Sequence, residues 1–354
     1  MNAISSTPLI TTIIPTYRRP QLLQRAIRSV LNQTYPHFQV CVYDNASGDE
    51  TFAIVAEISK GDPRVKYHCH SHNIGGIQNF NYGLQQVKTP YFSLLADDNT
   101  LLPHFFEEAL DTLSRFPNAI LFAGQTIFVN EKGQIIGSSL ANWAPGLVYP
   151  PDGLVLMWEK CLNWEGVLFS MEAIRSAGLL DPTVGGSADQ DFMMRLARKH
   201  DMYISKRTCV LFLCHNNSWS INRDLSEYVA SNKKILQHWL EDRELSEAIK
   251  ARMKQRWEVF VKKAISNYLC TKCIFGDDKE TIRIASALMN KEVGYAYIPS
   301  RAITIAKVVN HNRLLKRLLA TAIYWYLHLK DELIFLKHRK KYEVQIKHLF
   351  SVTN

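Results

Sequence analysis

No GxxxxGK[ST], GxGxxG, GxSxG or HExxH run occurs in the 354 residues, so phosphate-binding loops, dinucleotide folds, serine hydrolases and zinc proteases lack their usual signatures. Cysteine is scarce and odd in number. Seven thiols in a chain of this length do not make a disulfide framework and suit a reducing compartment. The C-x-x-C of Cys270 and Cys273 has no second pair, whereas zinc sites of that type need four ligands. In HCHSH, residues 68–72, the three histidines would share one face of a strand, which favours a strand end over a metal box. The amino-terminal segment has no basic region or small-residue cleavage site, and its apolar stretch is too short for a signal peptide or membrane span, so it reads as a first strand. Internal repeats, low-complexity tracts and basic-aromatic nucleic-acid modules are also missing, and nucleic acid is not an expected partner.

What the chain does have is apolar content and positive charge. With 47% hydrophobic residues it can bury a sizeable core, organised as one large domain plus an appendage. Its formal net charge of +9 points to an anionic partner without choosing among phosphorylated substrates, membranes and nucleic acids.

Short apolar runs at 10–15, 38–44, 65–70, 91–97 and 119–129 alternate with helical spacing at 20–33, 50–59, 77–87 and 103–115. That alternation predicts an α/β fold with a mostly parallel sheet covered on both faces. Right-handed crossovers then bring the loops PTYRR (15–19), DNASGDE (44–50), HNIGG (72–76) and ADDN (96–99) to one sheet edge, where ligands of open α/β folds bind. Residues 131–220 are less regular, and from about 224 long helical patterns take over. The expected domains are therefore 1–223, divided at about 130, and a helical region over 224–354.

Asp97 and Asp98 end a hydrophobic run. Adjacent carboxylates repel unless a cation sits beside them, and Mn2+ or Mg2+ held by one or two carboxylates completes its shell with water and phosphate oxygens. The alternative is local: Asp98, Asn99 or Thr100 capping the helix that follows. Asp44 also ends a strand, where it either holds the turn through Asn45, Ser47 and Gly48 or accepts a hydrogen bond from a base imide.

The order PTYRR, SVLNQTYPHFQVCVYDNASGDET, NIGGIQNFNYGL, LADDNTLLP resembles the family 2 glycosyltransferases with the GT-A nucleotide-sugar fold, over roughly residues 9–220. The resemblance implies that Pro15, Thr16 and Tyr17 surround the base and ribose of a UDP- or dTDP-sugar and that Asp44 binds the uracil or thymine ring. Asn73, Gly75, Asn81 and Gly83 fall where the family has its N-x-G and R-N-x-G pattern, with Phe80 in place of the arginine. ADDN looks like the family's DXD-type motif, with Asp98 as metal ligand and Asp97 facing ribose or metal; Ala96 and Asn99 stand where many members carry acids.

In SADQDFMMRLARKH, Asp189 matches the family's catalytic base at the start of a helix and Arg195 the helix arginine, with Ala188 where many members have Glu. Asp191 is the alternative base; the two point about 200° apart on a helix, so only one can face the crevice. A first-turn acid favoured by the helix dipole is the structural alternative for Asp189. The implied reaction is inverting transfer to an acceptor hydroxyl, with one base and one displacement. His215 is a candidate third metal ligand or phosphate contact, or a packed strand-end histidine. Trp164 and Glu165 would lie near the acceptor, although a core tryptophan is an equal reading.

Residues 313–341 place apolar side chains at three- and four-residue intervals beside Lys316, Arg317, Lys330 and the cluster Lys337, His338, Arg339, Lys340 and Lys341. Such a helix either lies on an anionic membrane surface or packs on the preceding helices. The first case predicts a cytoplasmic enzyme, peripheral on the inner face of the membrane, with a lipid-linked or other glycan acceptor; the helical tail could equally serve a homodimer.

Overall fold

The computed structural model describes residues 9–140, 143–215, 224–275 and Glu292. These fall into two compact units, one of residues 9–182 and 188–215, the other of 183–187, 224–275 and Glu292.

The first unit is built on strands β1 (Ile10–Thr16), β2 (Phe38–Asp44), β3 (Val65–Cys69) and β4 (Tyr91–Leu94), separated by helices α1 (Pro20–Leu31), α2 (Thr51–Ser59) and α3 (Gly76–Gln86). β1 is buried along almost its whole length, as expected of a central parallel strand covered on both faces, and its sequence is nearly continuous apolar and threonine. Proline at the start of α1 supplies a helical φ where no N–H is needed, and Leu23, Ala26, Ile27 and Val30 recur at helical spacing on its buried side. α3 comes so close to the sheet that a Cβ on Gly83 would lie 2.6 Å from Ile13 Cγ2 and 2.9 Å from Tyr43 Cε2. Only glycine allows that approach.

Then come β5 (Thr100–Leu101), α4 (Phe105–Arg115), β6 (Ala119–Asn130), β7 (Ile135–Ser138), β8 (Gly146–Val148), α5 (Asp152–Glu159), β9 (Val167–Ser170), α6 (Glu172–Ala177), α7 (Ala188–Ala197) and β10 (Asp201–Cys214). The main path of the sheet runs β3-β2-β1-β4-β9-β6-β10-β5, with β7 on β6 and β8 on β10. β1 pairs in parallel with β2 and β4, and β6 with β10. β9, however, lies antiparallel between β4 and β6. The sheet is thus parallel in its first half and mixed in its second.

Register aligns the strand ends: Thr16 of β1 pairs with Asp44 of β2, and Ile13 with Leu94 of β4. The polar loops after β1, β2 and β4 therefore leave the sheet along one edge. On β3, His68 and His70 pack around Tyr82, each ring centroid 4.7 Å from it, and no three ligand side chains among the described residues are grouped to hold a metal.

The second unit contains α8 (Leu225–Glu241) and α9 (Glu247–Phe275). Asp224 caps α8 by accepting from Glu227 N at 2.8 Å, while Tyr228 and Trp257 both contact Phe260. Cys270 and Cys273 fall on α9. The basic stretch 313–341 lies outside the described residues, and no helix that is described is long and apolar enough to cross a membrane.

Candidate active site

Side-chain hydrogen bonds tie four loops into one edge. From the β1 loop, Thr16 Oγ1 donates to Asp97 Oδ2 at 2.7 Å, and Arg19 Nη1 donates to Asp97 Oδ1 at 3.3 Å and Asp98 Oδ2 at 3.0 Å. Arg18, at a positive φ of 55°, turns its N–H onto Ser47 Oγ of the β2 loop at 2.9 Å. Asn45 in turn donates to Asn73 Oδ1 at 2.9 Å and accepts from Ile74 N at 2.8 Å, which joins the β2 and β3 loops. Asn73 also accepts from Gly75 N, and Gly75 takes the positive φ of 86° that precedes α3. Sequence positions up to 81 apart are held together this way.

The carboxylate pair is buried, and the capping alternative does not hold. Helix α4 starts at Phe105 without a side-chain cap, and Asn99 Oδ1 accepts instead from Leu213 N at 3.0 Å. Asp98 Oδ2 also meets His215 Nε2 at 3.1 Å, so the histidine at the end of β10 completes a group of two carboxylates, an imidazole and a guanidinium. Burial pushes the Asp97 carboxyl up to about 6; the Thr16 hydrogen bond and the Arg19 charge oppose this, and the Asp98 charge adds to it. Asp97, Asp98 and His215 are not grouped as a three-ligand site, but one or two carboxylates are enough for Mn2+ or Mg2+, which fill the rest of their shell with water and phosphate oxygens.

Glu165, expected near an acceptor, lies against the carboxylate turn. It is 3% exposed and accepts from Ala96 N at 2.8 Å, so it supports the carboxylate turn from beneath. Burial pushes it up to about 8; the Ala96 N–H opposes this, while the Asp98 charge raises it further. Trp164 beside it is half-buried and packs on Phe80, ring centroids 4.9 Å apart.

Asp44 carries out the turn-holding role in full. Its Oδ1 accepts from Ser47 N at 2.9 Å and Ser47 Oγ at 2.6 Å, and its Oδ2 from Tyr67 Oη at 2.6 Å. Asn81 is likewise committed, pairing both its amide ends with the backbone of Leu180 at 2.9 Å. Tyr17 is exposed with the Arg18 guanidinium 5.1 Å from its ring, and Pro15 is half-buried beneath.

The two candidate bases on α7 are distinguished by their partners. Asp191 is 6% exposed and ion-paired with Arg195 Nε at 2.8 Å, and the same guanidinium donates to the carbonyls of Ala177 and Leu179. Asp189 is half-buried in the first turn, its Oδ1 accepting from Gln190 N at 2.8 Å, and its charge reaches Cys161, whose thiol burial already pushes well up.

Residues 11–160, a little under half of the chain, match the family model for glycosyl transferase family 2. Over those residues the chain is similar to glycosyl transferase family 2. A GalNAc(5)-diNAcBac-PP-undecaprenol beta-1,3-glucosyltransferase of Campylobacter jejuni is 35% identical over 112 residues, 31% of this chain and 35% of that protein. The chain spans 31% to 41% of the length of the first curated relatives it matches. Among solved structures, S. aureus TarS 1–349 in complex with UDP-GlcNAc superposes with a TM-score of 0.63 at 14% identity, covering 95% of this chain and 92% of that one. The mannosyltransferase PcManGT of Pyrobaculum calidifontis, in complex with GDP-Man and Mn2+, gives 0.54 at 14% identity over 93% and 87%. The fold is GT-A.

Within the matched segment, sequence reasoning passed over two side chains that organise the site. Arg19 and Tyr67 each neutralise or fix a carboxylate. The signal for Arg19 was present, since two arginines follow β1 and two aspartates follow β4; parallel neighbours bring those loops side by side.

Proposed function

We propose that the chain is an inverting glycosyltransferase, moving a sugar from a UDP- or dTDP-sugar to a hydroxyl of a lipid-linked or other glycan acceptor in surface polysaccharide synthesis, at the inner face of the membrane. The observation that carries this reading is the group formed by Asp97, Asp98, Arg19 and His215 at the carboxyl edge of a GT-A sheet. The lipid-linked acceptor rests on the relative whose printed name carries an undecaprenol-diphosphate substrate. The nucleotide choice rests on the TarS complex with UDP-GlcNAc.

In this scheme Pro15, Thr16 and Tyr17 line the base and ribose, and the loop of Asn73 and Gly75 closes the same side. Asp44 and Asn81 act mainly by holding the loops that face the nucleotide. Asp98, with His215 and Asp97, would hold Mn2+ or Mg2+, which supplies positive charge to the departing diphosphate. Asp189 takes the proton from the attacking hydroxyl, and Asp191 fixes the helix through Arg195. Trp164 presents a ring edge for the acceptor sugar.

Calorimetric titration with UDP and with dTDP, with and without Mn2+, tests the site. Metal-dependent binding of one nucleotide diphosphate is expected, lost in Asp98→Ala and retained in Asp189→Asn, which should abolish transfer without changing donor affinity. Absence of binding by either nucleotide under any metal condition would sink the transferase reading.

A further inference from the structure

Arg19 occupies the place of a cation. Its Nη1 lies 3.3 Å from Asp97 Oδ1 and 3.0 Å from Asp98 Oδ2, and that second oxygen is the one that meets His215. The two carboxylate side chains are 6% and 9% exposed, whereas the guanidinium side is 29% exposed. The carboxylates are fixed from below. Thr16 holds Asp97 Oδ2, and Glu165 anchors the turn at Ala96. The more exposed partner is the long arginine side chain, reaching over from the start of α1.

Two buried negative charges this close need a counter-charge, and the chain supplies one itself. A divalent ion held at Asp98 would meet the full positive charge of the guanidinium that already contacts Oδ2. We propose that Arg19 is a resident counter-ion that holds the carboxylate pair in the metal-free protein, is displaced when a divalent cation binds, and then turns its planar donors onto the donor's phosphates. The proposal rests on the metal-diphosphate reading of Asp98. Displacement costs the metal its competition with the arginine, and the phosphate contact returns part of that cost once the nucleotide is bound, so metal and nucleotide should bind cooperatively.

Binding of Mn2+ alone, read from the electron paramagnetic resonance of the free ion in the absence of nucleotide, tests this directly. Arg19→Gln should bind Mn2+ about tenfold more tightly than the unmodified chain or better, because a full charge is removed within contact distance of the site. Arg19→Lys keeps the charge without the bridging fork and should fall between them. UDP affinity at saturating Mn2+ should drop several-fold in Arg19→Gln. If the glutamine variant is unstable, the lysine variant alone carries the comparison. Unchanged or weaker Mn2+ binding in both variants, with binding still lost in Asp98→Ala, would overturn the counter-ion role and leave the metal site standing. Mn2+ binding that ignores Asp98 would overturn both.

Discussion

Glu165 is a carboxylic acid enclosed by protein, held near neutrality by burial and by the Asp98 charge, with a folded-state value of about 8 against an ordinary 4.5. Between those values the folded chain keeps a proton that the unfolded chain has lost, so stability falls as pH rises through that window and levels off above it. Asp97, at about 6, adds to the lower part of the decline. The melting temperature of the metal-free protein should therefore drop between roughly pH 5 and 8. In Glu165→Gln, whose amide oxygen can still accept from Ala96 N, the fall above about pH 6 should be largely removed. An identical slope in the variant would show that Glu165 is ionised in the folded chain. Asp97 and Asp98 stood out in the sequence because they sit at the break between an apolar run and a loop, and Asp189 and His215 because they match positions of the family the sequence resembles. The roles of Glu165 and Arg19 did not, because each depends on a bond to a residue 69 to 79 positions away.

At the scale of elements, the β1-to-β4 half was legible because parallel strands buried on both faces are nearly unbroken apolar runs and the helices between them keep a 3.6-residue period. β9 was not. Its four residues sit in the apolar segment VLFSMEAIRSAGLL, which splits into a strand and helix α6, and nothing in a short apolar run fixes strand direction. β5 was hidden in the same way, as two residues pairing with β10 ahead of α4. Gly83 offers a test of how tightly these elements are set. Adding a methyl there puts a carbon in hard contact with Ile13 and Tyr43, side chains of β1 and β2. Gly83→Ala should lower unfolding stability by about 1–3 kcal/mol, since overpacking forces the helix off the sheet. The gain in helix propensity, about 1 kcal/mol, runs the other way and is smaller than the clash. Denaturant unfolding with an unchanged midpoint would mean that α3 shifts freely.

The whole chain carries a formal charge of +9, and its densest cluster, Lys337 to Lys341, lies in the carboxyl-terminal stretch outside the described residues. Sequence texture sets the glycine-poor region from about 224 apart from the sheet domain, and α8 and α9 lie in its described part. What it cannot fix is whether the basic stretch meets lipid or protein, because the same amphipathic spacing serves both. Electrostatics can decide between them. A lipid contact draws roughly 1 kcal/mol from each cation near an anionic surface and fades as the screening length shrinks from about 10 Å at 0.1 M salt toward about 3 Å at 1 M. The full chain should then sediment with vesicles of mixed anionic and zwitterionic phospholipid at low salt and be released by salt. Replacing Lys337, Arg339, Lys340 and Lys341 by glutamine should weaken that partition by at least about tenfold without altering UDP binding, because the cluster is remote in sequence from every residue of the carboxylate site. Vesicle binding that is unchanged by both salt and the four substitutions would assign the basic stretch to packing within the protein.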